Sequence, residues 1–86
     1  MANNVSQTLK ERGKKYGDFT THAQITQELK DVVKNYDGNL SPIHKEALDM
    51  IMHKVGRILN GDPNYADSWH DIAGYAQLVE ERVEGK

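Results

Sequence analysis

Apolar residues recur at helical spacing along most of the chain and never alternate with polar ones at period two, so the pattern predicts helices and no strands. Residues 4–12 read as a short helix, capped by Asn4 or Ser6 and closed by Gly13, with Val5 and Leu9 as its apolar content. Residues 13–20 (Gly-Lys-Lys-Tyr-Gly-Asp-Phe-Thr) read as a loop, because two glycines in five residues suit tight turns. Residues 22–36 read as a helix capped by Thr20 or Thr21. Its stripe is Ile25, Leu29, Val32, Val33 and Tyr36, and Asp37-Gly38 ends it. Residues 42–59 carry the clearest signals. Ser41 stands at the cap, Pro42 at the first helical position, and Asn60-Gly61 followed by Pro63 at the end. Leu48, Ile51, Val55, Ile58 and Leu59 make its apolar face. Residues 65–84 form the last helix, with Trp69, Ile72, Ala76, Val79 and Val83 on one side.

These elements predict an all-α fold: a small three- to four-helix bundle built on a C-terminal helical hairpin, 42–59 against 65–84, with 22–36 packed across it. The whole chain, 1–86, reads as one domain. Its residues 1–20 give a short helix and basic loop that fold back over one end, and residues 21–86 give the helical core.

Size limits what such a fold can bury. A chain of 86 residues with 37% apolar residues and no cysteine cannot build a large core or staple a small one. Helical packing, self-association or both must stabilise it. No apolar run is long enough to cross a membrane, and the first residues lack the basic and apolar regions of a secretory signal, so a cytoplasmic location is expected. Net charge is −2, which disfavours bulk nucleic-acid binding.

Three features stand out from ordinary helix surface. At 100° per residue, Glu46, Asp49, His53, Arg57 and Asn60 form one stripe opposite the apolar face of their helix. Gly56 sits beside it at a cost of about 1 kcal/mol relative to alanine, which suggests a close approach by another backbone or a ligand. On the last helix, Asp67, His70, Asp71 and Gly74 lie opposite Trp69, with Tyr75 and Leu78 at hand, and suggest a second contact surface for a ligand or another subunit. The basic segment Lys10, Arg12, Lys14, Lys15 is followed by Tyr16 and Phe19, which pairs phosphate-binding cations with rings able to stack on a base. A solvated, self-compensating surface is the plain alternative for each of these.

Catalytic signatures are sparse. Glu46 with Asp49, and Asp67 with Asp71, could converge from two antiparallel helices on Mg²⁺. His22, His44, His53 and His70 lack zinc spacing. His70-Asp71 matches a helical phosphohydrolase pair only in part, since no later aspartate completes it. No phosphate loop or nucleophile elbow is present.

Three stretches read together are similar to a known family: Glu11-Arg-Gly-Lys-Lys-Tyr-Gly-Asp-Phe19, Lys45-Glu-Ala-Leu-Asp-Met-Ile51 with Lys54-Val-Gly-Arg-Ile-Leu-Asn-Gly-Asp-Pro63, and Asp67-Ser-Trp-His-Asp-Ile-Ala-Gly-Tyr75. They resemble small, mostly phage-encoded helical domains of uncharacterised function, distantly similar to nucleotide-modification-associated and MazG-like domains. The matching positions include Arg12, Tyr16, Asp18, His22, Lys45, Asp49, Lys54, Arg57, Asn60, Asp67, Asp71 and Tyr75. So many polar positions imply a polar ligand site. The carboxylates depart from the MazG pattern: one glutamate stands where a cluster would, and Asp-x-x-x-Asp replaces Glu-x-x-Asp.

The expected function is therefore binding of a nucleotide or nucleotide-derived small molecule by a phage accessory protein, acting as a sponge for a cyclic nucleotide or cyclic ADP-ribose defence signal in the host cytoplasm. Arg12, Lys14, Lys15 and Arg57 would neutralise phosphate, and Tyr16, Phe19 and Tyr75 would stack. His53, Asn60, Asp67 and Asp71 would complete the site, with no cofactor. The alternatives are a Mg²⁺-dependent nucleoside triphosphate pyrophosphohydrolase using Glu46, Asp49, Asp67 and Asp71, or a protein-binding inhibitor of a host factor using Leu78, Tyr75, Glu80, Glu81 and Glu84. A homo-oligomer, at least a dimer, is expected to cover the polar, glycine-bearing faces.

Overall fold

The computed structural model describes residues 2–83, and the side chains of that span apart from those of 2–4 and 12–15. Among the described residues there are four helices and no strands: α1 (Ala2–Tyr16), α2 (Phe19–Asn35), α3 (Pro42–Asn60) and α4 (Ala66–Glu80). The expected all-α bundle and its C-terminal hairpin are present.

Local chemistry explains each boundary. Gly13 does not end α1, which continues to Tyr16. The break falls at Gly17, whose φ of 82° lies in the left-handed region that only glycine enters cheaply. Asp18, rather than Thr20 or Thr21, caps α2 by accepting from the Thr21 N–H at 3.0 Å. Ser41 precedes α3, and its own N–H donates to His44 Nδ1 at 3.0 Å, so an imidazole takes the place of the glutamate in a capping box. Gly61 closes α3 and donates to the Arg57 carbonyl. The turn into α4 is held by Trp69 Nε1, which donates to the Pro63 carbonyl at 2.8 Å.

α3 is the spine. It packs antiparallel to α2 on one side and to α4 on the other, while α2 and α4 do not approach one another. α2 therefore lies beside the hairpin rather than across it. The result is an open layer of three helices, with α1 touching α2 and α3 near its C-terminal end. Ala47 is the one buried apolar residue among those described, and none of their side chains is fully enclosed.

The layer overturns the expected core faces. Val32, Tyr36, Leu59 and Trp69, all read as core from their spacing, are exposed. Ala76 is exposed as well. The buried positions between helices are small or polar: His22 and Thr26 on α2, Gly56 on α3 and Ser68 on α4. The stripe of α3 that was expected to face away from the core is the one that meets α2. No described helix is long and apolar enough to cross a membrane.

Candidate functional site

A groove of about 580 Å³ opens where the α1–α2 corner meets α3, lined by Leu9, Tyr16, Gly17, Asp18, Phe19, His22, His53 and Arg57. Asn60 builds the corner. Its Nδ2 donates to the Tyr16 carbonyl at 3.0 Å and the Asp18 carbonyl at 2.8 Å, tying both sides of Gly17 to the end of α3. This holds the Tyr16 backbone in place, and its ring meets Tyr65 edge-on at 5.8 Å. The Arg57 guanidinium, one turn before Asn60, then sits 4.2 Å from the centre of the Tyr16 ring. That is a cation–π pair with its cation at the rim of the groove.

The floor is a pair of histidines. His22 and His53 meet edge to face with centroids 4.7 Å apart, and Phe19 leans on His22 at 6.3 Å. Thr26 Oγ1 lies 3.4 Å from His22 Nε2. His22 Nδ1 is buried without a well-aligned hydrogen bond. Burial lowers the His22 pKa first, and the Arg57 charge lowers it further; the Gly56 carbonyl offsets part of that. His53 is pushed down to about 4 by burial, then by Arg57, His22, Lys30 and Lys54. Both rings are therefore neutral at pH 7, so they can donate and accept but add no charge.

These shifts make stability depend on pH in one direction. An unfolded chain protonates its histidines as pH falls through about 6.5, while His53 in the folded chain resists until about 4. Stability is complete above the higher value, falls between the two, and has no further histidine loss below the lower. After discounting for the solvent that reaches His53, the loss is about 1–2 kcal/mol. Melting temperature should fall from pH 7 to pH 5, and His53→Gln should flatten that fall. A flat profile in the unmodified chain would contradict a neutral pair.

The expected site residues divide. Tyr16, Phe19, His53 and Arg57 come together in this groove. Asn60 was expected to contact the ligand, but spends its amide on two carbonyls of its own chain. Arg12, Lys14 and Lys15 have side chains outside the described residues. Asp67, Asp71 and Tyr75 are elsewhere. Asp67 accepts from Tyr65 Oη at 3.0 Å. Asp71 pairs with Lys54 at 3.0 Å, and the hydrogen bond and charge from Lys54 hold its carboxyl below the usual range. Asp71 and Tyr75 instead line a shallower depression of about 470 Å³ along α4, with His70, Gly74 and Leu78. No group of three or more His, Cys, Asp or Glu among the described residues could hold a metal ion. Glu46, Asp49, Asp67 and Asp71 thus do not assemble into a metal site within one chain.

A domain family of unknown function, DUF6378, matches residues 2–83, which is nearly the whole chain. The chain belongs to that family. No curated protein and no solved structure matches it. In this DUF6378 chain, the groove residues not singled out as ligand contacts are Leu9, Gly17, Asp18 and His22, of which Asp18 and His22 were marked only by the family resemblance. For His22 the spacing held a second signal: it and Thr26 stand four residues apart, a polar pair on one face of an amphipathic helix. Gly17 and Asp18 had the turn chemistry, but not the partner 42 residues away.

Proposed function

We propose that the α1–α2–α3 groove binds a nucleotide or nucleotide-derived small molecule. The observation that carries this is Arg57 stacked on Tyr16 at the rim of a groove whose other walls are Phe19, the neutral imidazoles of His22 and His53, Leu9 and the Gly17-Asp18 turn, with the Asp18 carboxylate engaged in capping α2. A planar guanidinium offers paired donors to a phosphate. Phe19 and Tyr16 offer ring faces to a base, and neutral His22 and His53 are uncharged polar partners for ribose or base edges. The enclosure suits a ligand with one aromatic ring and a phosphate.

The resemblance to phage-encoded helical domains supplies a setting: a small binder that sequesters a cyclic nucleotide or cyclic ADP-ribose signal in the host cytoplasm. The MazG-like hydrolase reading has less support. Its four carboxylates form no metal-holding group among the described residues, Asp67 accepts from Tyr65, and Asp71 is already neutralised by Lys54. The inhibitor reading would use Leu78, Tyr75, Glu80 and Glu81, the depression along α4 being its only physical feature; Glu84 lies outside the described residues.

The test is calorimetric titration with nucleoside monophosphates, cyclic dinucleotides and cyclic ADP-ribose. At least one should bind. Arg57→Ala should weaken it by about 10- to 100-fold, the usual range for losing a charge-assisted hydrogen bond. Arg57→Lys should restore only part, because an ammonium keeps the charge without the planar fork. Binding unaffected by Arg57→Ala, or no binding by any ligand of the panel, would sink the proposal.

A further inference from the structure

We infer that a second copy of this chain covers the apolar side of the open layer, the side opposite the groove. This does not rest on the groove's ligand.

The position of that side follows from helix geometry. On α3, Leu48, Met52, Val55 and Leu59 succeed one another at spacings of four, three and four residues, so they form one stripe along the helix. His53 and Gly56 on one flank meet α2, and Lys54 on the other meets α4 through Asp71. The stripe stands about half a turn from Arg57, which marks the groove side. On α2, Ile25 and Val32 lie on the flank away from Phe19, and with Tyr36 at the C-cap they extend the stripe. On α4, Trp69, Ile72 and Ala76 lie on the flank away from Asp71 and extend it the other way. The apolar residues of three amphipathic helices thus converge on one surface. Within a single chain Leu48, Met52, Val55, Ile25 and Ile72 are partly covered, while the rest stands open: Tyr36 is 83% exposed, Leu59 64%, Val32 59% and Trp69 54%.

Area gives the scale. A compact chain of 9.7 kDa exposes about 5,100 Å², whereas this one exposes 6489 Å². Its radius of gyration is 15.0 Å, against about 12 Å for a compact domain of this length. Part of the excess is α1, exposed from residue 5 to 11. Taken over the whole chain, the excess of about 1,400 Å² is larger than the roughly 800 Å² per partner that a stable interface buries.

The chemistry selects the occupant. None of the residues named in these stripes carries a charge, and at their edge Lys45 is paired with Asp37 of the same chain at 3.8 Å. A two-fold copy would therefore oppose apolar to apolar, with no like charges face to face. A charged peptide would gain no complementarity there. The subunit junction accordingly moves from the polar, glycine-bearing faces of α3 and α4, which a second chain was expected to cover, to the opposite side of the layer.

Sedimentation velocity of the full chain tests this over a wide concentration range. The expected mass is twice 9.7 kDa. Trp69 is the sole tryptophan, so its emission should shift to the red as dilution dissociates the pair. Leu59→Glu should raise the dissociation constant about 100-fold or more by placing a carboxylate at the junction, while helical circular dichroism persists. Leu78→Glu, on the groove side of α4, should leave the mass unchanged. If Leu59→Glu loses its helical signal, Val32→Glu makes the same test from α2. A single-chain mass at every concentration overturns the inference. So does dissociation by Leu78→Glu with Leu59→Glu and Val32→Glu still paired.

Discussion

Replacing Gly17 with alanine is expected to cost about 3 kcal/mol and to release the α1–α2 corner from α3. Two penalties add. An L-residue at a φ of 82° costs about 1–2 kcal/mol. The new methyl would also run into the Asn60 backbone carbonyl and come within 2.7 Å of its Nδ2. Neither can retreat: the carbonyl belongs to the last residue of α3, and Nδ2 is engaged with the carbonyls of Tyr16 and Asp18. Relief requires breaking those bonds, each contributing about 1 kcal/mol. For a chain of this length the melting temperature should fall by about 12 °C or more. Asn60→Ala should cost about 2 kcal/mol by losing the same two bonds. Because both changes act on one corner, the double variant should be less destabilised than the sum of the singles. Gly38→Ala, where an added methyl meets nothing, serves as the control. Equal melting temperatures for Gly17→Ala and Gly38→Ala would refute the corner's role. The same lesion should weaken ligand binding, since it separates Tyr16 from Arg57.

The helices themselves were legible because their ends are written in local chemistry: Pro42 and Gly61 around α3, Pro63 before α4, Asp37 after α2. The faces were not. Amphipathic periodicity shows that one side of a helix is apolar, but not whether that side meets a neighbouring helix or the same side of another chain. Sequence reasoning assigned Leu59, Trp69, Val32 and Tyr36 to an internal core because a closed bundle would need them there. In an open layer the helix–helix seams run at right angles to the apolar faces, and small or polar residues such as Gly56, Ser68 and Thr26 fill the seams. The candidate site shows the same division. Tyr16 and Arg57 were singled out as residues of the right chemistry, yet their contact spans 41 positions and needed the fold. Asn60 had the right chemistry for a ligand and is consumed by the backbone of its own chain, which spacing does not reveal.

Gly56 decides how tightly the α2–α3 seam is closed, and its replacement tests whether polar residues hold that seam. Helix propensity alone predicts that Gly56→Ala stabilises by up to about 1 kcal/mol. The seam predicts the reverse. A methyl there would overlap Thr26 Oγ1 and come within 3.2 Å of His22 Cε1. Thr26 is 3% exposed, and its short side chain has no free direction in which to turn. Overpacking of this kind costs about 1–3 kcal/mol, so with the full propensity gain set against it the net expectation is a loss of up to about 2 kcal/mol. Gly74 supplies the contrast on α4. It faces open space, so Gly74→Ala should show the propensity gain undiluted. Adding Thr26→Ala to Gly56→Ala should recover part of the loss, since it removes the obstructing oxygen, and that recovery is a coupling readable in a double-mutant cycle. The clash also presses on His22, whose ring stands edge to face with His53. Nuclear magnetic resonance titration should therefore find the His53 pKa moved upward from about 4 in Gly56→Ala, as the loosened seam admits water. If Gly56→Ala and Gly74→Ala stabilise alike and the histidine titration stays put, the seam is looser than the close approach of Thr26 implies.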